Sequence, residues 1–165
     1  MDHTFDDILA ANSAYADVFD GGGHEGEARA GLAVITCMDA RIDPLPMLGL
    51  AHGDAKVIRN AGGRVTPRVL EALVLATHLL GVNRVMVIPH TRCAAARWSQ
   101  AELRDKISAA SGQNAAWQSF LVVDDQLAGL REDIATARAY PLIAPRTEIG
   151  GFMYDVDTGR LERLV

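Results

Sequence analysis

The chain has 165 residues, 49% of them hydrophobic, with 21 acidic side chains against 16 basic ones and a formal net charge of -5. That length and apolar content suit one domain spanning 1–165 with its own core, and the acidic balance gives a phosphate backbone no electrostatic support, so a nucleic-acid partner is not expected. No apolar run is long enough to span a bilayer and Met1 to Asp7 is acidic where a secretory signal would be basic, so a soluble, cytoplasmic protein is expected.

In chain order, Asp6 to Phe19 carries Ile8, Leu9, Ala11, Tyr15 and Val18 at loosely helical spacing before Gly21-Gly22-Gly23 interrupts it. Residues 1–23 therefore read as an N-terminal helical arm, packed either on its own core or on a partner subunit. The apolar run Leu32-Ala33-Val34-Ile35 reads as a buried strand ending at Cys37-Met38-Asp39-Ala40-Arg41. Pro44 and Pro46 favour a loop before the short apolar piece Met47 to Leu50. Lys56-Val57-Ile58 reads as a second strand running into Arg59-Asn60-Ala61-Gly62-Gly63, where the glycine pair permits a turn with positive φ or a close backbone approach. Thr66-Pro67 is a helix start, with Thr66 as cap and Pro67 at the first helical position. The helix runs to Gly81, and its apolar residues on most faces predict burial.

Val85-Met86-Val87-Ile88 is the third strand, followed by His90-Thr91-Arg92-Cys93. Ser99 to Glu102 has capping-box spacing and opens a short helix ending at Gly112. Phe120 to Val123 leads into a helix capped by Asp124, since Leu127, Leu130 and Ile134 recur at helical spacing. Pro141 and Pro145 end it, Glu148 to Val156 reads as a strand, and Asp157-Thr158-Gly159 turns into Leu161 to Leu164 as a terminal hairpin. The expected fold is α/β: a mostly parallel central sheet flanked by helices, with a C-terminal antiparallel hairpin and the N-terminal arm.

The chain has two cysteines, each at the end of an apolar run. If those runs are neighbouring parallel strands, Cys37, His90 and Cys93 converge at one sheet edge. Two thiolates and an imidazole form a ligand set that zinc uses in catalytic sites, leaving a fourth position for water or substrate. A disulfide or two inert buried thiols are the alternatives, though an intracellular cysteine pair is more often metal-binding or catalytic than bridged. His3, His24, His52 and His78 belong to no comparable constellation.

The segments Cys37 to Arg41 and His90 to Cys93, joined by Arg59 to Gly63, resemble the β-class carbonic anhydrases, particularly the short bacterial members. The likeness extends from the arm to Gly151–Arg160. The resemblance implies that Cys37, His90 and Cys93 bind Zn2+ and that Asp39 and Arg41 are a catalytic pair. Asp39 would ligate the metal only in a closed state and otherwise pair with Arg41. It also implies that Asn60, Gly62 and Gly63 line the substrate pocket, although a plain turn accounts for that loop equally well. The implied activity is reversible hydration of carbon dioxide to bicarbonate by zinc-bound hydroxide, in a homodimer or a dimer of dimers.

Two residues depart from the family pattern: Ala94 stands where glycine is usual, and Arg92 occupies a slot that more commonly holds a small or acidic residue. Both put the substrate in question, because relatives with the same site hydrolyse carbonyl sulfide or carbon disulfide. A zinc-stabilised binding protein without catalysis is a further alternative, which the retained Asp39 and Arg41 disfavour. As an ordinary surface ion pair those two would contribute little.

Overall fold

The first apolar run extends through Thr36 to form strand β1 (Leu32–Cys37), and all six of its residues are buried. A strand covered on both faces shows a continuous rather than an alternating apolar pattern, which identifies β1 as central. It lies between β2 (Ala55–Asn60) and β3 (Arg84–Ile88), parallel to both, with Cys37 opposite Asn60 and Thr36 opposite Ile88. Next to β3 runs β4 (Glu148–Tyr154), also parallel, and β5 (Leu161–Arg163) closes the far edge antiparallel to β4. The five-stranded order is thus β2-β1-β3-β4-β5, as the expected α/β fold with its terminal hairpin requires. This computed structural model describes residues 4–165, so His3 and the first residues of the arm lie outside the described residues.

Alternate residues of the strands face opposite sides of the sheet. One side brings Ala33, Ile35, Val85, Val87 and Ile149 against α3 (Pro67–Leu79) and α5 (Gln126–Ala139), which contribute Val69, Leu70, Leu73, Leu130 and Ile134. The other packs Leu32, Val34 and Ile88 with Ile42 and Tyr154, and this smaller cluster contains both cysteines. Fully burying a side chain of Leu or Ile size contributes roughly 1.5–3 kcal/mol, so these two clusters supply most of the cohesion around the strand ends. Thr36, the polar exception within β1, donates its hydroxyl to the carbonyl of Ile88 at 2.8 Å and ties the two central strands together just before the sheet edge.

Helix starts follow their caps. Thr66 accepts from the amide of Val69 at 3.4 Å, and Ser99 and Glu102 form the complete capping box of α4 (Gln100–Ser111), which ends at left-handed Gly112. Three expectations are corrected. The cap of α5 is Asp125, not Asp124: the Oδ1 of Asp125 accepts from the amides of Leu127 and Ala128, because Asp125 is the residue with extended backbone directly before the first turn. The Pro44–Met47 stretch is a short helix, α2, rather than a loop, with Pro44 at its first position where no amide is needed. Helix α3 is only half buried: Leu75 and Leu79 are more than half exposed, because its opposite face alone covers the sheet.

The arm helix α1 (Asp6–Asp17) has no buried residue, and Phe5, Ile8, Leu9 and Tyr15 all remain exposed. Among the described residues no helix is long and apolar enough to cross a membrane.

Candidate metal centre

The chain leaves β1 for the outer strand β2, then crosses back to β3 on the other side of β1. In open α/β sheets such a reversal opens a crevice at the carboxyl ends of the strands where ligands bind. Cys37 is the last residue of β1, and His90 and Cys93 follow β3 in the same crevice. Their donor atoms all lie within 4.8 Å of one another, and all three residues are buried. The two cysteines are free, with Sγ atoms 3.9 Å apart.

The donor set fits zinc by several independent measures. Two thiolates about 2.3 Å from one tetrahedral ion sit about 3.8 Å apart, which matches the sulfur separation. His90 has no solvent exposure; its Nδ1 donates to the carbonyl of Thr91 at 2.9 Å, which leaves Nε2 as the nitrogen open to a ligand. That Nε2 is buried with no hydrogen-bond partner, a state that costs about 1–3 kcal/mol and that a metal ion would relieve.

The two thiols titrate as a pair. The neighbouring Cys93 thiol, with the amides of Asp39 and Gly62, draws Cys37 down to about 4 against the opposing effect of burial. Cys93 keeps the remaining proton: the neighbouring Cys37 and burial push its own titration upward, although the amides of Ala95 and Ala96 face its sulfur. One of the two protons therefore leaves easily and the other is retained by the pair.

Beside these donors, Asp39 is gripped by Arg41 through two parallel bonds, Nε to Oδ1 at 2.9 Å and an Nη2 contact to Oδ2 at 2.6 Å, and also accepts from the amide of Arg41 at 3.0 Å. This grip holds its carboxyl well below the usual carboxylate range. Its Oδ2 lies 3.7 Å from the Nε2 of His90, so the carboxylate stands at the edge of the donor set.

The glycine loop is built for close approach to β1. Asn60 staples it by donating to the carbonyl of Arg64 and accepting from that residue's amide, both at 2.8 Å. Gly62 and Gly63 have φ of 81° and 66°, and a Cβ on Gly63 would stand 2.9 Å from the Cys37 amide nitrogen. Gly62 and Gly63 line a small cavity with Cys93, whereas the side chain of Asn60 is spent on the staple.

Sequence reasoning missed several supports. Arg59, reaching from β2, donates to the carbonyls of Cys37 at 3.0 Å and Asp39 at 2.7 Å. Gln126 donates to the carbonyl of His90, and Arg64 forms a two-pronged pair with buried Asp133 at 2.6 and 3.0 Å. Arg59 and Arg64 flank the Asn60 to Gly63 stretch, and that adjacency was the available signal. His24 and His52 lie together near Arg29, and His78 faces the carbonyl of Leu142, all apart from the donor set.

A family profile for carbonic anhydrase matches residues 32–119, which include all three donors, Asp39, Arg41 and the glycine loop. The chain belongs to the β-class carbonic anhydrases. Another member, beta-carbonic anhydrase 1 of Mycobacterium tuberculosis, is 32% identical over 161 residues, covering 96% of each chain. The crystal structure of carbonic anhydrase from Streptococcus mutans superposes with a TM-score of 0.92 at 38% identity, covering the whole of both chains. The likeness extends to a carbon disulfide hydrolase of Saccharolobus solfataricus, 28% identical, covering 80% of this chain and 76% of that one. The β-carbonic anhydrase fold thus surrounds a candidate metal site of two thiols and one imidazole.

Proposed function

We propose that this protein is a zinc enzyme that interconverts carbon dioxide and bicarbonate, with the ion held by Cys37, His90 and Cys93. The observation that carries the reading is the arrangement of Asp39: a carboxylate at the rim of a three-donor set, drawn aside by the bidentate grip of Arg41. A purely structural zinc site has four protein ligands and no use for a restrained carboxylate.

When bound, zinc supplies a Lewis acid that makes water a nucleophile at neutral pH. The chain's own residues do the rest. Arg41 holds Asp39 off the fourth position, and Asp39, ionised throughout the neutral range, offers an acceptor at the rim that can orient a hydroxyl proton. Arg59 fixes the backbone of both Cys37 and Asp39, so donor and carboxylate keep their relative position. The small cavity beside Cys93 has apolar walls of Ala95, Val123 and Leu130 and a polar side formed by Gln126 and the Arg64–Asp133 pair, room for a small substrate only. Asn60 acts here as the staple of the glycine loop that also lines it.

We further propose a single catalytic domain over 1–165 with residues 1–23 as its arm. The exposed apolar face of α1 and the unpaired outer edge of β2 support a homodimer or a dimer of dimers. Two adjacent free thiols are consistent with the reducing cytoplasm.

The second reading is hydrolysis of carbonyl sulfide or carbon disulfide. It is favoured by the similarity to carbon disulfide hydrolase and by Arg92 and Ala94 beside the donors. A side-by-side assay of the zinc-loaded protein on carbon dioxide, carbonyl sulfide and carbon disulfide decides between them. Higher catalytic efficiency on carbon dioxide is expected, and the reverse order would establish the second reading.

A further inference from the structure

Between two of the candidate ligands stands Arg92, with φ of 55°, the only non-glycine residue with positive φ among the described residues. For a residue with a long side chain this backbone is costly and persists where its surroundings impose it. The surroundings are specific. Thr91 is docked on the end of β4, its amide donating to the Tyr154 carbonyl at 2.9 Å and its hydroxyl accepting from the Val156 amide at 3.1 Å. The Arg92 guanidinium then reaches Asp157, in the turn that follows β4, while the Arg92 carbonyl faces the Nη2 of Arg41 at 3.4 Å. Asp157 is held in that turn by its amide, which donates to Asp155 at 2.8 Å.

Two arginine–carboxylate pairs therefore stand in one small region, with Arg59 on the Asp39 carbonyl and Asp155 near Arg92 at its margins. Asp39 takes Arg41 and Asp157 takes Arg92. Arg92 links the two pairs, its guanidinium on Asp157 and its carbonyl 3.4 Å from the Nη2 of Arg41, and the charge of Asp157 favours the protonated form of Arg41. If Asp157 lost Arg92, it would become an unpaired carboxylate whose charge acts on the guanidinium that restrains Asp39.

We propose that Arg92 is a positioning residue that sequesters Asp157 and so reserves Arg41 for Asp39, keeping the fourth metal position open. The inference rests on the proposed function, in which Asp39 closes the site when Arg41 releases it. Arg92 and Asp157 are each more than half exposed, so the pair adds little to stability; its role is the choice of partner. The device belongs to this chain's own sequence: a small or acidic residue at position 92 could not occupy Asp157.

The test uses the full-length protein loaded with cobalt(II), whose visible spectrum reports an exogenous anion entering the fourth position. Azide is the probe. Arg92→Asn tolerates the left-handed backbone while removing the cation, and it is expected to weaken azide binding roughly two- to fivefold, the scale set by one exposed ion pair. Adding Asp157→Asn to that variant removes the competitor and restores the affinity of the unaltered protein, and Arg92→Lys preserves most of it. A merely structural role would make the double variant no better than the single one, and that result overturns the proposal. Unchanged azide affinity in Arg92→Asn, or loss of its cobalt, overturns it too. Arg41→Ala separates the two levels: if it excludes azide while Arg92→Asn does not, the inference alone fails, whereas if it binds azide normally the Asp39 gate fails with it.

Discussion

Replacing Gly63 with alanine perturbs the site through the backbone alone. Gly63 has φ of 66°, and a Cβ there would meet the Cys37 nitrogen at 2.9 Å and the Thr36 carbonyl carbon at 3.0 Å, both backbone atoms of a fully buried strand. Gly62 is the natural control: its φ is 81°, yet its added Cβ would come no nearer than 3.4 Å to the Ala95 Cβ and 3.5 Å to the Arg64 Cγ, ordinary contacts with side chains. The left-handed conformation costs a residue with a Cβ about 1–2 kcal/mol, offset by about 0.4–1 kcal/mol from the reduced freedom of the unfolded chain. Gly62→Ala is therefore expected to lose about 1 kcal/mol. Gly63→Ala carries the same cost plus about 1–3 kcal/mol for forcing an atom against a strand that cannot yield. Because the displaced atoms belong to Cys37 and its neighbour, zinc affinity is also expected to fall, by about tenfold or more. Urea denaturation of both variants, with zinc competition against a chelator, measures the two effects. Equal destabilisation of the two variants would refute the close-approach argument.

Removing the guanidinium in Arg41→Ala is expected to leave zinc content intact while abolishing most hydration, as Asp39 moves onto the metal; zinc loss in proportion to activity, by metal analysis, would show a structural role instead. Asp133→Ala leaves the largely buried Arg64 guanidinium only the exposed Glu132 at 3.5 Å, so the expected loss is about 3 kcal/mol, the low end for breaking a buried pair, or roughly 6–12 °C in thermal midpoint for a chain this long. A shift of a degree or two would mean that the pair is effectively solvated. Asp155 is held below its ordinary range by the amides of Asp157 and Thr158, so its contribution to stability is present above about pH 4 and is lost as pH falls through its lower folded-state value. Asp155→Ala should accordingly flatten the acid limb of the stability profile, and an unchanged limb would contradict the assignment.

The donor set was legible because its signals are local: a ligand residue directly after a β-branched or aliphatic run announces a strand end, and the sheet does the converging. Cys37, His90 and Cys93 needed only the assumption that β1 and β3 are parallel neighbours, which the register bears out. What the sequence conceals are contacts between distant segments. Arg59 reads as the polar start of the glycine turn, yet its fork crosses to the carbonyls of Cys37 and Asp39. Arg64 and Asp133 lie on different elements, and no periodicity joins them. The burial of α3 was misjudged for a related reason: apolar residues on most faces imply enclosure, whereas Leu75 and Leu79 lie on the uncovered side. The cap of α5 fell on the second of two adjacent aspartates, a choice made by backbone geometry rather than by residue type.

The central claim is that one zinc ion, held by two thiolates and one imidazole with Asp39 drawn aside, makes this chain a catalyst of carbon dioxide hydration. Titrating metal-stripped protein with zinc while following hydration by stopped-flow tests it most directly. Activity is expected to rise linearly and to break at about one ion per chain, since a single donor set is present among the described residues. Stoichiometric zinc uptake with no hydration above the buffer background would contradict the account.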